Sequence, residues 1–204
     1  MRTVALVALC AAVIPLAAQT GAPSDLARIQ ALLTKPDVLC GHFEQTKTLV
    51  GLSRPVRSRG RFCVVTRKGI LWSTSEPFAS SLLLTPSQIV ESRGGQVTQR
   101  LSADKEPGVR IINEVLMSLL AGDLSKVTGT FDVASQVTGA EWQATLTPRV
   151  AGLKSVIASI ALSGSHTVSS VTIRETGGDR TVITFSQIAT GAAAMQPDEA
   201  KQFE

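Results

Sequence analysis

The segments LCGHFEQTKTL (residues 39–49) and PVRSRGRFCVVT (residues 55–66) decide the fold, because they can be paired as the two strands of one hairpin. With paired positions summing to 103, each residue meets a compatible partner: Cys40 faces Cys63, Glu44 faces Arg59, Gly41 faces Phe62, and Phe43 faces Gly60. Side chains alternate between the two faces of a strand, so the cysteines and the charged pair share one face and the aromatic residues share the other. We therefore predict that Phe43 and Phe62 point inward, and that Cys40 and Cys63 form a disulfide on the outer face.

Short stretches rich in Val, Ile, Thr, Phe and Leu continue beyond this hairpin and are separated by Gly, Pro and Ser. This pattern is typical of β-strands and predicts nine more, near 70–75, 79–84, 88–93, 96–101, 129–134, 141–147, 155–163, 168–175 and 180–188. Two helices are also expected: Ser24 caps the first, which Pro36 ends, and an apolar stripe from Val109 to Leu120 forms the second. The predicted class is therefore α+β, an antiparallel sheet of many strands with two helical covers.

The composition fits one folded domain. Hydrophobic residues make up 44% of the 204 residues and charged residues 18%, which excludes a disordered chain. With Phe 6, Trp 2 and Tyr 0, the interior must be mostly aliphatic, and few aromatic rings remain for stacking on bases. We therefore expect no nucleic-acid partner, despite a sequence pI near 9.3.

The first eighteen residues have the pattern of a secretory signal peptide. Arg2 supplies a positive charge, an uncharged and mostly apolar run extends from Thr3 to Ile14, and small residues precede a predicted cut after Ala18. An amino-terminal membrane anchor is the alternative, but the run is shorter than the roughly 20 apolar residues of a spanning helix. We therefore expect residues 1–18 to be removed and residues 19–204 to form a single exported domain.

The cysteine count agrees with export. Removing the signal peptide removes Cys10 and leaves two cysteines, Cys40 and Cys63, an even number that suits a disulfide in an oxidising compartment. Two cysteines cannot complete a structural zinc site, and His42 and His166 show no ligand spacing. We expect neither a metal nor a cofactor.

The sequence gives little support to catalysis. It contains no G-x-S-x-G elbow, no glycine-rich phosphate loop and no H-E-x-x-H motif. Ser165 and His166 lie in the stretch GSHT (residues 164–167), which is typical of a hairpin turn. We expect no enzyme; a small hydrolase of acyl esters that uses Ser165 or His166 is the alternative.

Several of these stretches, in this order, resemble the LolA family of periplasmic outer-membrane lipoprotein carriers. Phe43-Glu44-Gln45 is similar to the family's F-x-Q on its first strand, Gly60-Arg61-Phe62 to its G-x-L/F on the second, and Trp72 with Pro77 to its W-x(4)-P. Further on, Leu119-Leu120-Ala121-Gly122-Asp123 before Phe131-Asp132-Val133 looks like the helix leading into a middle strand, and Leu146-Thr147-Pro148-Arg149 resembles its L-x-P. The similarity extends from about residue 24 to about residue 190.

The resemblance implies an incomplete β-barrel, a half-barrel covered by helices, that holds acyl chains in an apolar cavity. It implies a periplasmic carrier, expected to be a monomer, that takes an acylated lipoprotein or lipid from an inner-membrane exporter to an outer-membrane acceptor. A sensor domain of similar shape, which recognises an envelope component without transporting it, is the alternative. The side chains expected to contact cargo are apolar: Phe43, Phe62, Trp72, Phe78, Leu116, Leu120 and Phe131. Core packing is the alternative reading for each of them.

Two features depart from the family's pattern. The family has an arginine on its second strand that, by resemblance, holds a helical lid. An ungapped count from Gly60 places Thr66 at the position of that arginine. Arg67, the next residue, is therefore the candidate for the lid contact. The cysteine pair is not part of the general pattern either. Both features look more like the LolA-like proteins associated with aryl polyene or pigment-type acyl biosynthesis clusters. The cargo is therefore a lipoprotein or a polyene or other acyl ester, and both remain open.

Basic residues concentrate between Lys47 and Lys68, with no acid between Glu44 and Glu76. Three of them, Arg57, Arg59 and Arg61, repeat at every second position and therefore project from one face of their strand. We expect these three to dock an acidic partner or anionic headgroups by electrostatic steering. A solvated outer face that resists edge pairing is the alternative.

Overall fold

The computed structural model describes residues 24–102 and 124–204. The predicted signal peptide and the predicted second helix, with Leu116 and Leu120, lie outside these ranges. The division into a leader of residues 1–18 and one domain of residues 19–204 therefore stays a prediction. Among the helices in the described ranges, none is long and apolar enough to cross a membrane.

Eleven strands make up most of the described chain. They are β1 (Val38–Thr48), β2 (Val56–Val65), β3 (Gly69–Glu76), β4 (Ser80–Leu84), β5 (Gln88–Arg93), β6 (Gln96–Ser102), β7 (Phe131–Thr138), β8 (Glu141–Pro148), β9 (Ile157–Gly164), β10 (Val168–Glu175) and β11 (Arg180–Thr190). The helices are short: α1 (Asp25–Leu32), α2 (Ala151–Lys154) and α3 (Pro197–Ala200), with 3₁₀ turns at Leu124–Gly129, Ala192–Ala194 and Lys201–Phe203. Each strand predicted from the sequence is present, with small shifts at its ends.

The strands form one antiparallel sheet in the order β6-β5-β4-β3-β2-β1-β11-β10-β9-β8-β7. Strands β1 to β6 form one meander, β7 to β11 form another, and the two meet where β1 pairs with β11. The sheet does not close on itself. The expected antiparallel sheet of many strands is thus confirmed, and it is open. The expected helical cover is limited, within the described ranges, to the short helices above, and the half-barrel shape stays a prediction.

The predicted register of the first hairpin is confirmed. Cys40 pairs with Cys63 and Glu44 with Arg59 across β1 and β2, and the two cysteines form a disulfide. In the chain-entropy model, a bridge across this sequence separation of 23 residues stabilises the fold by about 3 kcal/mol. The predicted charged pair is different: a bulge after Arg59 brings this residue opposite Glu76 on β3, and its guanidinium donates to Glu76 rather than to Glu44.

One face of the sheet, here called the inner face, is rich in apolar residues across both meanders. Two clusters of buried side chains lie on it. The first contains Phe131, Trp142 and Leu146 from β7 and β8, and α1 packs over it through Ile29 and Leu33. The second, from β1 to β5 and β11, is centred on Phe43 and Phe62, which point to the inner face as predicted.

Helix α1 has the predicted start and is anchored at its end. The hydroxyl of Ser24 accepts a hydrogen bond from the backbone N–H of Ala27 at 3.3 Å, which satisfies one of the free donors of the first turn. After the helix, the backbone N–H of Thr34 donates to the carbonyl of His166 at 2.9 Å. The helix is therefore tied to the turn between β9 and β10.

The carboxyl-terminal segment, residues 191–204, crosses the opposite, outer face of the sheet. Cys40 and Cys63 are 1% and 0% exposed there, packed against Ala194, Met195 and Phe203. The disulfide thus lies on the predicted face, but this part of the face is covered rather than open to solvent. We call residues 191–204 the terminal clasp.

Glu199 holds the clasp to the sheet. Its carboxylate accepts hydrogen bonds from Nε and Nη2 of Arg61 at 2.9 and 3.3 Å, and from the backbone N–H of Gln196 at 2.7 Å. The carboxylate also lies 3.4 Å from Sγ of Cys63, a packing contact because a disulfide sulfur carries no hydrogen. Removing Arg61 or Glu199 would leave the other charge poorly solvated and unpaired, which is costly.

Gly60 should be intolerant of a side chain. A Cβ at this position would overlap the carbonyl oxygen of Ser73 on β3, so Gly60→Ala should destabilise the protein by about 3 kcal/mol. Gly129→Ala is the matched control, because its added Cβ would meet no atom within 4 Å, and we expect a change within about 0.5 kcal/mol. Urea unfolding measures both. Equal midpoints would contradict the close approach of β2 and β3.

Loss of the Glu199 charge should release the terminal clasp. We expect Glu199→Gln to lower the free energy of unfolding by about 2 kcal/mol and to speed reduction of the disulfide by a soluble thiol several-fold, because its cover is gone. Asp198→Asn is the control: that carboxylate contacts exposed Lys201 and should leave both values unchanged. Thiol alkylation followed by mass spectrometry gives the rate, and identical rates for the two variants would refute the role of Glu199.

Candidate functional site

Four aromatic side chains meet on the inner face: Phe43, Phe62, Trp72 and Phe185. We call them the aromatic cluster. The rings of Phe43 and Trp72 stack with centroids 3.8 Å apart, and Phe185 meets the edge of Trp72 at 6.1 Å and lies 4.9 Å from Phe62. Aromatic pairs of this kind contribute about 0.5–1.5 kcal/mol beyond their buried area. The cluster unites three residues predicted to contact cargo with a fourth, Phe185, that the sequence analysis did not select.

Glycines opposite the rings make room for this packing. In the register of β1 and β2, Phe62 faces Gly41 and Phe43 faces Gly60. A Cβ at Gly41 would lie 2.7 Å from Cδ1 of Ile188 and 3.0 Å from Cε1 of Phe62. The first hairpin therefore allows two large rings to lie flat on a sheet where ordinary side chains would crowd them.

The side chains of this site differ in how deeply they are buried: some belong to the core and others are partly accessible. Phe43 and Phe62 are 1% and 2% exposed and belong to the core. Trp72 is only half-buried, and so are the aliphatic side chains packed around it: Leu82, Ile89, Ile183 and Ile188. Trp72 and these aliphatic residues are therefore accessible enough to contact an apolar ligand.

Two other residues predicted to contact cargo lie away from the aromatic cluster. Phe131 is 2% exposed in the separate cluster beneath α1, where it packs with Trp142 and Leu146. Phe78 is 81% exposed in the loop between β3 and β4. Their contact with cargo stays a prediction, as it does for Leu116 and Leu120, which lie outside the described ranges.

A polar groove of about 730 Å³ lies on the outer face, between strands β1 to β4 and the terminal clasp. Its lining includes the charged residues Glu44, Arg59, Arg61, Glu76, Asp198 and Glu199 together with His42, and most of the remainder is hydroxyl and amide side chains. Burying such groups against hydrocarbon without hydrogen bonds costs free energy. The groove is therefore unsuited to acyl chains, and the aromatic cluster is the candidate site.

The three arginines predicted to dock a partner have different surroundings. Arg61 is half-buried and paired with Glu199, so its charge is used inside the protein. Arg59 is exposed and paired with Glu76; this hydrogen bond lowers the pKa of the Glu76 carboxyl and raises the pKa of the guanidinium. Arg57 is exposed and has no ion-pair partner within the described ranges. Of the three, Arg57 has the charge most available to another molecule.

Arg67 lies in the tight turn between β2 and β3 with a φ of 65°. Its side chain is exposed and has no ion-pair partner among the described residues. The predicted lid helix lies outside the described ranges, so the lid contact of Arg67 remains a prediction.

Both histidines have structural contacts. Nε2 of His42 lies 3.2 Å from Nη1 of Arg61, and because a guanidinium only donates, this imidazole nitrogen accepts. Nδ1 of His166 lies 3.3 Å from the carbonyl of Leu32 in α1, and the carbonyl of Ser165 accepts from the indole of Trp142 at 2.7 Å. Residues 165 and 166 thus tie α1 and Trp142 to the turn between β9 and β10.

Cys40, Cys63 and Glu199 place three atoms that could bind a metal within 4.8 Å of one another. Both sulfurs are used in the disulfide, however, and the carboxylate is bound by Arg61. These three residues therefore form a covered disulfide with a neighbouring ion pair, and their ligand atoms are not free to bind a metal.

Solved structures that are similar to this chain are distant in sequence. A DUF1329 family protein from Desulfovibrio piger is similar with a TM-score of 0.51 and 12% identity, covering 88% of this chain and 97% of that one. A LolA superfamily protein from Nitrosomonas europaea has a TM-score of 0.44 and 11% identity, covering 89% of this chain and 96% of that one.

Sequence comparison is more specific. The chain is 26% identical over 188 residues to an outer-membrane lipoprotein carrier protein of Pseudomonas fluorescens, covering 89% of this chain and 84% of that protein. Residues 18–203, nearly the whole chain, match the family described as outer membrane lipoprotein carrier protein LolA-like. The protein therefore belongs to the LolA-like family, as its resemblance to LolA carriers predicted.

Proposed function

We propose that this protein is a periplasmic carrier that binds the acyl chains of a lipoprotein on its inner face and moves them from an inner-membrane exporter to an outer-membrane acceptor. It acts as a monomer, without a cofactor and without catalysis. Membership of the LolA-like family supports lipoprotein binding. The predicted signal peptide and the disulfide between Cys40 and Cys63 support an exported location with oxidising conditions.

The observation that carries this proposal is the aromatic cluster with its half-buried aliphatic surround. Trp72, Leu82, Ile89, Ile183 and Ile188 are all apolar and all partly accessible on the same face of one sheet. Each CH₂ group removed from water contributes about 0.8 kcal/mol, so an acyl chain of sixteen carbons gains roughly 12 kcal/mol when fully covered. A bare acyl chain would cross an aqueous compartment only at that cost.

The same surface suits release as well as binding. None of these five side chains carries a charge or a hydrogen-bonding group that would bind an acyl chain in one fixed pose, apart from the indole N–H of Trp72. The affinity for an acyl chain therefore depends on the area of the chain that the protein covers. An acceptor with a larger apolar surface covers more of the chain and binds it more tightly. A carrier that must both take and give its cargo requires this property.

The inner and outer faces can be separated by two neighbouring residues of β4. Leu82 pairs with Trp72 and lies on the inner face, while Leu83 pairs with Leu71 and lies on the outer face; both are half-buried. We expect Leu82→Gln to weaken binding of a fluorescent N-palmitoylated peptide at least about tenfold, because the new amide would be buried without a partner. Leu83→Gln is the matched control and should bind as the parent does. Binding isotherms decide, and equal affinities for the two variants would contradict the proposed face.

The cargo itself is identified by extraction. Protein purified under mild conditions from the periplasm of its native host should release acylated peptides into organic solvent, detected by mass spectrometry. Polyene or other free acyl esters would instead assign the protein to the specialised branch that the cysteine pair suggests. A reproducibly empty protein that also fails to shuttle acylated peptide between vesicles would overturn the carrier and favour a sensor of envelope components.

A further inference from the structure

The large exposed apolar side chains of the described ranges all lie at one end of the sheet, where β1, β3, β5, β8 and β10 finish. They are Val50, Leu52, Val56, Phe78, Val97, Val150 and Val156, with exposures of 42% to 81%. We call this the loop end. The opposite end carries the turns after β2, β4, β7 and β9, and none of these residues. Single exposed apolar residues are ordinary, but seven at one end of a sheet indicate an interaction surface.

Hydrogen bonds between loops join several of these residues into one surface. The backbone N–H of Val50 donates to Oδ1 of Asp179 at 2.9 Å, which ties the loop after β1 to the turn after β10. The hydroxyl and backbone N–H of Thr176 in that turn donate to the carbonyls of Lys154 and Val156, at 2.8 and 2.9 Å. The turn after β10 therefore joins the loop after β1 to the loop after β8. This connection fixes the positions of the exposed side chains on those two loops relative to each other.

The loop end also carries excess positive charge. Five basic side chains there are exposed and have no ion-pair partner among the described residues: Arg54, Arg57, Lys154, Arg174 and Arg180. Three nearby acids are already paired with other basic side chains: Glu76 with Arg59, Glu175 with Lys47, and Asp132 with Arg149. Asp179 accepts from the backbone N–H of Val50 and keeps its charge, which still leaves an excess of positive charge at the loop end.

Two of these arginines oppose each other directly. Arg174 on β10 and Arg180 on β11 are paired residues in the antiparallel register. Like charges at such positions destabilise a sheet. The repulsion between these two arginines would be relieved when the protein binds a negatively charged surface that neutralises both charges.

We propose that the loop end docks on an anionic lipid bilayer, with Phe78 and Leu52 entering the interfacial region and the basic side chains contacting headgroups. Apolar side chains together with nearby cations are the combination that binds peripheral proteins to anionic membranes. The exposed apolar residues are spread over four loops and the adjoining strand ends across the width of the sheet, which suits a broad lipid surface better than a single pocket on a protein. This docking concerns the cargo-free protein and does not depend on the proposed carrier function.

The charge requirement is tested by sedimentation with vesicles of phosphatidylcholine alone and of phosphatidylcholine mixed with phosphatidylglycerol. We expect binding to the anionic vesicles only, weaker at high salt, and at least about tenfold weaker for Arg174→Glu with Arg180→Glu. The control makes the same charge change away from the loop end, at exposed Lys35 and Arg100, and should keep most of the binding. Absence of binding to anionic vesicles, or equal loss in both double variants, would overturn the proposal.

Insertion is tested at Phe78, whose exposure makes substitution harmless to the fold. Phe78→Ser should weaken vesicle binding several-fold, and Phe78→Trp should add an emission that shifts to shorter wavelength when anionic vesicles are present. An unshifted emission would overturn insertion. An acidic protein that binds the loop end while vesicles do not would overturn the bilayer as the partner.

Discussion

The pairing of β1 with β11 is the interaction on which the rest of this structure depends. Each meander is built from neighbouring strands joined by short turns, but the two become one sheet only where the first strand meets the last. Strand β1 therefore has hydrogen-bonded neighbours on both sides, β2 and β11. Its inner face supplies Phe43 to the aromatic cluster, and its outer face supplies Cys40 to the disulfide and His42 to the polar groove.

The two faces of this central strand are stabilised in different ways. On the inner face, apolar contacts and stacked rings stabilise the sheet without fixing any ligand geometry. On the outer face, the disulfide and the pair between Arg61 and Glu199 fasten the terminal clasp over the strands that carry the rings. The proposed carrier function requires the inner face to remain partly uncovered, and the specific, polar restraints lie on the reverse side of the same strands.

Features governed by neighbouring residues could be predicted from the sequence, and those governed by distant contacts could not. The strands and the register of the first hairpin were predictable, because alternation and a local turn determine them. The partner of Arg59 was not, since a bulge turns this side chain toward Glu76. Nor was the pair between Arg61 and Glu199, which joins residues 138 positions apart.

The candidate site shows the same division. Phe43 and Phe62 could be placed on one face because their strands are adjacent in sequence. The sequence could not show that Phe131 lies far from these two residues. The distance between Phe131 and Phe43 depends on the order of all eleven strands, which puts β7 at the far edge of the second meander. Phe185 was missed for the same reason: it is brought beside Phe43 only by the pairing of β1 with β11.

The two proposed surfaces are connected by a single strand. Trp72 in the aromatic cluster and Phe78 at the loop end are six residues apart along β3 and its following loop, a span of roughly 20 Å in extended chain. One leaflet of a bilayer's hydrocarbon core is about 15 Å thick, half of its full thickness. Because the gap is longer than the leaflet is thick, an acyl chain leaving a bilayer at a docked loop end would clear the lipid before it reached the cluster, unless the inner face covered it on the way. At about 0.8 kcal/mol for each CH₂ in water, each CH₂ group covered along that path lowers the barrier to transfer below that for a free chain.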